Sequence, residues 1–230
     1  MPNTLIVGAG SGVGLSLAES LIADGHELWT TSRSPQHPLQ THHQCWEAET
    51  EFPADTLPDT LACMVYCPGT LSLQPFSRTD LTTFVEDMEI NLFGAVRALQ
   101  AALPALQRSE QASVVLFSSV AATAGMPMHA SIAAAKGGIE GITRALAAEL
   151  APGIRVNAVA PSLTDTPLAS SLLRSDRQRE NAAARHPLGR IGQPHNIVSA
   201  VKFLLSVDAA WITGQILAVD GGIGAVRRFA

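Results

Sequence analysis

Seven residues near the amino terminus, Gly8-Ala9-Gly10-Ser11-Gly12-Val13-Gly14, carry the first chemistry that can be read from this chain. They follow the β-type run Thr4–Val7 and precede the helical pattern LSLAESLIADG. A strand ending in a glycine turn at a helix start is an anion site. Backbone N–H groups and the positive helix end face a pyrophosphate there, and side chains would block its approach. The spacing is G-x-x-x-G-x-G, through Gly8, Gly12 and Gly14; Val13 stands where a G-x-G-x-x-G pattern would place its last glycine. The turn therefore reads as a dinucleotide site. The second β-type run ends in Thr30-Thr31-Ser32-Arg33-Ser34, with no carboxylate to bind the ribose 2′-hydroxyl of NAD. Arg33 offers a planar, permanently charged fork matched to a phosphate, and Ser32 and Ser34 add hydroxyl donors. That pattern suits NADP over NAD. The competing reading of Arg33 is a solvated side chain at the start of a surface loop.

Elements that would position these groups alternate along the chain. Strand-like runs lie at Thr4–Val7, Glu27–Thr31, Leu61–Tyr66, Ser113–Phe117, Arg155–Val159 and Gln215–Val219, with a weaker one at His43–Trp46. Helical patterns separate most of them, which implies βαβ units and a mostly parallel sheet. The clearest helix is expected over Asp80–Gln107, where Leu81, Phe84, Val85, Met88, Leu92, Val96, Leu99, Leu103 and Leu106 form one apolar stripe. A second is expected over Ala130–Leu150, so rich in Ala and Gly that its backbone can approach a neighbour closely. The crossover between Trp46 and Leu61 has two prolines and no stripe, and reads as a loop.

Composition narrows the class. The 230 residues are 47% hydrophobic and 15% charged, with a net charge of −5. This size suits one α/β domain spanning residues 1–230. Negative charge argues against nucleic acid as a partner, since no phosphate-neutralising excess of basic residues is available. No apolar run reaches the ~18–20 residues that span a bilayer, so no membrane association is expected. The amino terminus shows no basic, signal-type segment. Three cysteines, Cys45, Cys63 and Cys67, are an odd count without metal-type spacing, which suits a reducing cytoplasm. His42, His43 and Cys45 lack a fourth ligand nearby, so no metal is expected.

With the glycine loop and Arg33 in place, the chain resembles the short-chain dehydrogenase/reductase family nearly end to end. Gly8–Gly14 is similar to the family's cofactor loop. Tyr66-Cys67-Pro68-Gly69 stands where the family usually has Asn-Asn-Ala-Gly, and keeps only the glycine. Glu89-Ile90-Asn91-Leu92-Phe93-Gly94 resembles the segment with the helix asparagine, and Val114–Ser119 with Val120-Ala121-Ala122 the strand that delivers the serine. Asn157-Ala158-Val159-Ala160-Pro161-Ser162 and Thr166 resemble the nicotinamide-side loop. Arg190-Ile191-Gly192-Gln193-Pro194, Ile212-Thr213-Gly214 and Val219-Asp220-Gly221-Gly222 match the carboxy-terminal signature. The resemblance implies a doubly wound α/β Rossmann fold of strand order 3-2-1-4-5-6-7. It implies a cofactor across the carboxyl strand ends, a substrate lid at about 165–192, and a homodimer or homotetramer formed through the two long helices and the last strand. Carried over by position, Ser119 holds a substrate carbonyl, and Lys136 binds the nicotinamide ribose and lowers a proton donor's pKa. Asn91 helps hold a water chain, and Cys67, Pro68, Gly69, Pro161, Thr164 and Thr166 line the cofactor.

One position departs from the family. Its acid is a tyrosine four residues before the lysine and thirteen after the serine; here that position is Ile132. Both flanks hold the frame, and the only tyrosine is Tyr66, expected at the end of the fourth strand. A positioned general acid contributes ~10²–10⁴ in rate, so full activity needs another donor. Ser131 points ~140° away from Lys136 around the helix. His129 lies within ~20° of the same face but about 10 Å along the axis. Either His129 or a water held by Lys136 and Ser119 could protonate the carbonyl; the competing reading is that His129 only caps the helix.

Lys136 is one of two lysines and lies in an Ala-rich helix, which favours a cofactor role over a surface one. Ser118 is left as strand-end packing. Arg174, Arg177, Arg179, Arg185 and Arg190 could steer an acidic substrate, but read better as a solvated, charge-laced helix with Asp176 and Glu180. Two functional classes follow: an NADP-dependent oxidoreductase acting on a small carbonyl or secondary alcohol, or a catalytically silent NADP(H) sensor or assembly subunit. Retained Ser119, Lys136 and Asn91 favour the first; Ile132 and the altered Tyr66–Gly69 segment favour the second.

Overall fold

The structure, a computed structural model, describes residues 1–227. Seven parallel strands form one sheet: β1 (Asn3–Val7), β2 (Glu27–Ser32), β3 (His42–Cys45), β4 (Cys63–Tyr66), β5 (Ala112–Phe117), β6 (Ile154–Pro161) and β7 (Ile216–Val219), in the order β3-β2-β1-β4-β5-β6-β7. Every residue of β4 and β5 is buried, as expected of central strands covered on both faces. Side chains alternate between two cores. Leu5, Val7, Met64, Tyr66, Val114 and Leu116 face one; Ile6, Val65, Val115 and Val159 face the other. The second core is closed by α1 (Gly12–Ala23) and α6 (Pro194–Leu205). No helix among the described residues is long and apolar enough to cross a membrane.

The first core is closed by the two longest helical segments, and there the structure corrects the sequence reading. The stretch expected as one helix is α2 (Leu81–Met88), a π-helical turn (Glu89–Phe93) and α3 (Gly94–Gln107). Asp80 starts α2 by accepting from the Thr83 backbone N–H at 2.8 Å. The wider turn disturbs the carbonyl ladder. Asn91 Nδ2 donates to the Asp87 carbonyl at 2.8 Å, and the Tyr66 hydroxyl donates to the Ile90 carbonyl at 2.6 Å. Upstream of it the expected stripe is only partly turned to the core: Met88 packs against it and Phe84 is half-buried, but Leu81 and Val85 are exposed, and the one buried residue of α2 is Asp87. Hydrophobic spacing alone cannot register one extra residue in a turn.

Helix α4 (Ala130–Leu150) has the expected bounds. A Cβ on its Gly138 would lie 2.7 Å from Leu92 Cδ2, so the small residue permits the close helix contact. The Trp46–Leu61 crossover carries only a short 3₁₀ turn, Ala54–Thr56. It is packed by Trp46 edge-on against Phe52, ring centroids 5.0 Å apart. Between β6 and α6 the chain makes a long excursion containing a 3₁₀ turn (Pro167–Leu172) and α5 (Asp176–Arg185). Thr164 pairs with Gly192 where it leaves and returns.

Candidate functional site

The glycine loop lies at the carboxyl end of β1, where the strand order turns outward in both directions. The N–H groups of Gly8 and Ala9 both donate to the Thr31 carbonyl at 2.9 Å, tying the loop to β2. A Cβ on Gly14 would overlap the Gly8 carbonyl oxygen, so only glycine lets α1 start this tightly against the strand end. Added Cβ atoms at the other loop glycines show its neighbours: Pro68 at 2.9 Å from Gly8, Ser32 at 2.8 Å from Gly10 and Thr166 at 3.5 Å from Gly12. One helix start therefore gathers the ends of β2, β4 and β6. Ser11, extended at the N-cap, makes no side-chain capping bond, which leaves the N–H groups at Gly12, Val13 and Gly14 for an incoming anion.

Beside the loop, Ser32 is buried and its hydroxyl donates to the Ser34 carbonyl at 3.2 Å. Arg33 and Ser34 are exposed, and Arg33 has no ion-pair partner among the described residues. Two histidines that the sequence reading did not place here brace this corner. His37 Nε2 donates to the Ala9 carbonyl at 3.0 Å and His43 Nε2 to the Ser34 carbonyl at 2.9 Å. His42 stacks on Trp29 and meets Glu27 at 2.9 Å. The loop cradle, its donors and the unpaired guanidinium fit a phosphorylated dinucleotide.

The second cluster lies across the ends of β4 and β5. Lys136 is buried and its Nζ donates to the Phe117 carbonyl at 2.8 Å. Loss of hydration lowers its pKa to about 8, partly offset by Cys67 and Asp87. Burial pushes the Cys67 thiol up to about 12, against the pull of the Lys136 ammonium. Asn91, fully buried in the π-helical turn, donates to Thr70 Oγ1 at 2.7 Å. A Cβ on Gly69 would sit 3.2 Å from Asn91 Oδ1 and 3.7 Å from Lys136 Nζ, so the three residues converge. Thr70 in turn donates to Asp87 Oδ1, and Ser72 donates to the same oxygen at 3.0 Å.

Ser119 is half-buried just beyond β5, its hydroxyl accepting from the Ala121 N–H at 3.2 Å. Ser118 is more than packing: buried, it donates to Glu140 Oε1 at 2.9 Å. Ile132 is buried at 4% exposure. His129 takes the N-cap position of α4, its carbonyl accepting from the Ala133 N–H, but makes no side-chain cap bond; its Nδ1 donates to the Pro127 carbonyl at 2.7 Å, and Nε2 has no bond among the described residues. Tyr66 is buried in the core under the π-helical turn, and loss of hydration raises its phenol far above its ordinary range.

At the third corner Pro161 ends β6. Thr164 is buried and donates to the Ser162 carbonyl at 3.0 Å, and Thr166 donates to the Thr164 carbonyl at 3.3 Å. Buried His186 joins this loop to the excursion: Nδ1 donates to the Ala182 carbonyl at 2.8 Å and Nε2 accepts from Ser162 at 2.9 Å. Arg179 grips Asp165 through two bonds, at 2.7 and 3.4 Å. Arg174, Arg177, Arg185 and Arg190 are exposed, as the solvated-helix reading expects. Sequence reasoning missed Asp87, Thr70, Ser72 and His186. An acid inside an apolar helical stripe, one turn before Asn91, was the available signal for the first.

Comparison with known proteins agrees with this architecture. Residues 47–224 match a family model described as enoyl-(acyl carrier protein) reductase. Over 144 residues, 60% of the chain, it is 43% identical to 2-(S)-hydroxypropyl-CoM dehydrogenase 3 of Xanthobacter autotrophicus. Over 153 residues, 64% of the chain, it is 40% identical to a protein of the same organism named inactive 2-(S)-hydroxypropyl-CoM dehydrogenase 2. These matches span 56% and 66% of the two relatives. The likeness to 3-oxoacyl-[acyl-carrier-protein] reductase MabA of Mycobacterium bovis is 31% identity over 96% of the chain and 92% of that protein. Among solved structures, ligand-free aldohexose dehydrogenase of Thermoplasma acidophilum superposes with a TM-score of 0.91. It is 27% identical over 100% of this chain and 96% of its own. By fold, strand order and these matches, the chain belongs to the short-chain dehydrogenase/reductase family.

Proposed function

We propose that the protein is an NADP-dependent oxidoreductase acting on a carbonyl or secondary alcohol of a small organic molecule. The observation that carries the cofactor choice is Arg33: exposed, unpaired among the described residues, and adjacent to the Ser32 that touches the glycine loop. Gly8, Gly10, Ser11, Gly12, Val13 and Gly14 hold the pyrophosphate, and Ser32, Arg33 and Ser34 the 2′-phosphate. Cys67, Pro68 and Gly69 line the middle of the cleft, and Pro161, Thr164 and Thr166 hold the nicotinamide end. The bound cofactor supplies or accepts a hydride.

The chain's own residues orient the reacting carbonyl and handle its proton. The Ser119 hydroxyl orients and polarises the carbonyl oxygen. Lys136, held by the Phe117 carbonyl, presents its charge to the nicotinamide ribose, and Asn91 fixes the backbone and hydrogen bonds behind it. Residues 165–192 form the substrate lid, hinged where Thr164 meets Gly192 and steadied by Asp165–Arg179. Exposed Leu81, Val85 and Phe93 on the helical face, and Leu217 on β7, are the surfaces for self-association. The working site is cytoplasmic.

A silent NADP(H)-binding relative is the second reading. Buried Ile132 favours it, and so does a His129 ring turned back to Pro127. A carbonyl panel with NADPH separates the two. Turnover by the wild type that is lost in Ser119→Ala supports catalysis; silence in the wild type with activity gained in Ile132→Tyr supports the sensor. An unchanged pH profile and turnover in His129→Gln would remove His129 as the proton source.

A further inference from the structure

Ser162 and His186 have no part in the chemistry drawn for Ser119 and Lys136, yet they form a serine–imidazole pair. The Ser162 hydroxyl lies 2.9 Å from His186 Nε2, and Nδ1 of the same ring lies 2.8 Å from the Ala182 carbonyl. A carbonyl oxygen only accepts, so Nδ1 carries the ring proton and Nε2 presents its lone pair to the hydroxyl. A nucleophile within reach of a base, with the base turned by a third group, is the arrangement that activates a serine.

The surroundings hold the ring in that pose. His186 ends α5, where its backbone N–H donates to the Ala183 carbonyl at 3.0 Å. The negative end of that helix favours the imidazolium formed when Nε2 takes a proton. Gly221, at φ of 63°, lies close against the ring: a Cβ there would be 3.3 Å from His186 Cδ2. The Leu188 N–H ties the two segments together by donating to the Gly221 carbonyl at 3.1 Å.

His186 is 3% exposed, whereas Ser162 is half-buried. Both line a cavity of about 120 Å³ at the ends of β6 and β7 and the start of α6, together with Arg190, Asn196 and Asp220. A cavity of roughly 150 Å³ accepts benzene, so a short acyl group fits here. The Asp220 carboxylate is engaged by the Gly222 and Gly224 N–H groups, at 2.8 and 2.9 Å. Arg190 donates to Asn196 Oδ1 at 2.9 Å and has no ion-pair partner among the described residues. Its guanidinium therefore brings to this wall a positive charge suited to an oxygen that turns negative.

We propose that Ser162 and His186 are a second reactive centre, which cleaves esters of small carboxylic acids through an acyl-serine. Ser162 Oγ attacks the ester carbonyl carbon while His186 Nε2 takes the hydroxyl proton. The bond from that carbon to the alcohol oxygen breaks, and the departing oxygen takes the proton from Nε2. Water then attacks the acyl-serine and gives a proton to Nε2, and Ser162 Oγ leaves with it. The products are a carboxylic acid and an alcohol, and no step uses nicotinamide, so the proposal stands apart from the oxidoreductase reading.

Wild type, Ser162→Ala and His186→Gln are compared without nicotinamide, with p-nitrophenyl acetate for turnover, phenylmethanesulfonyl fluoride as an irreversible label, and melting as the check on folding. Nitrophenolate release should be lost in Ser162→Ala and fall by about 10²–10⁴ in His186→Gln, the span a positioned base supplies. Peptide mass spectrometry should find the sulfonyl label on Ser162 in the wild type. A wild type unlabelled at Ser162, or one that releases nitrophenolate no faster than Ser162→Ala, overturns the proposal. So does labelling of Ser162 as fast in a folded His186→Gln as in the wild type. Should either variant fail to fold, the position of the wild-type label decides alone.

Discussion

The two ends of the cleft are built in opposite ways. At the glycine loop, the groups open to a ligand are backbone N–H groups, a helix start and one exposed guanidinium, all within the first 34 residues. At Lys136, the surroundings come from four separate elements: the Phe117 carbonyl of β5, the buried Asn91 side chain of the π-helical turn, Gly69 of the loop after β4 and the buried Asp87 carboxyl of α2. A site made of backbone depends on which residues are absent, chiefly side chains at the glycines. One made of buried charge depends on every partner being present, because an unpaired group in the interior costs more than an exposed one gains.

Substitutions can break this contrast. Ser119→Ala should lower kcat by about 10²–10³ with little effect on NADPH affinity, as loss of one oxygen-stabilising donor does; steady-state kinetics beside fluorescence titration reads both. Equal losses in the two would place Ser119 in cofactor binding instead. Next, Arg33→Ala should weaken NADPH by roughly 10–100-fold, the ~1.5–3 kcal/mol of a charge-assisted contact, while NADH binding stays level. Equal losses for both cofactors would reject the phosphate fork.

Lys136 tests the buried end by its own titration. Its pKa falls from 10.5 to about 8 in the folded chain. Between those values the unfolded chain holds a proton that the native one has released, so this group's contribution to stability rises with pH. In the cofactor-free protein, the melting temperature of wild type relative to Lys136→Met should therefore climb from pH 8 to 10.5. A flat difference would mean the ammonium is hydrated. The smallest effect is expected for Tyr66→Phe, which removes only the bond to the Ile90 carbonyl. About 0.5–1.5 kcal/mol of stability should be lost in denaturant unfolding, with the Arg33-dependent cofactor choice unchanged.

The same contrast governs what was legible in the sequence. Most strand positions, the glycine loop and α4 follow from local pattern: apolar runs buried on both faces, a turn that only glycine can close, and an Ala/Gly-rich helix pressed on a neighbour; the strand order follows from the family resemblance. The expected strand over Leu61–Tyr66 begins at Cys63: the Leu61 N–H is taken by the Ala105 carbonyl of α3, while Ala62 already bonds to Asn3 of β1 and Ser113 of β5. Asp87 was invisible as a site residue because its partners, Thr70 and Ser72, lie 15 to 17 positions upstream on a loop whose path no periodicity describes. His186 meets Ser162 across 24 positions for the same reason. Ile132, by contrast, is reached by counting from Ser119 and Lys136, and it lies buried in α4 one turn ahead of Lys136.

The wide turn at Glu89–Phe93 sets the phase of everything ahead of it. Each residue in a regular helix advances the azimuth by about 100°, so excising a single residue there would swing α2 around its own axis by nearly a third of a revolution. Asp87 would leave the interior and a neighbour on its helix would take the vacated slot, whereas α3 would keep its seat against the sheet. One surplus residue thus decides which side chain of α2 the interior receives.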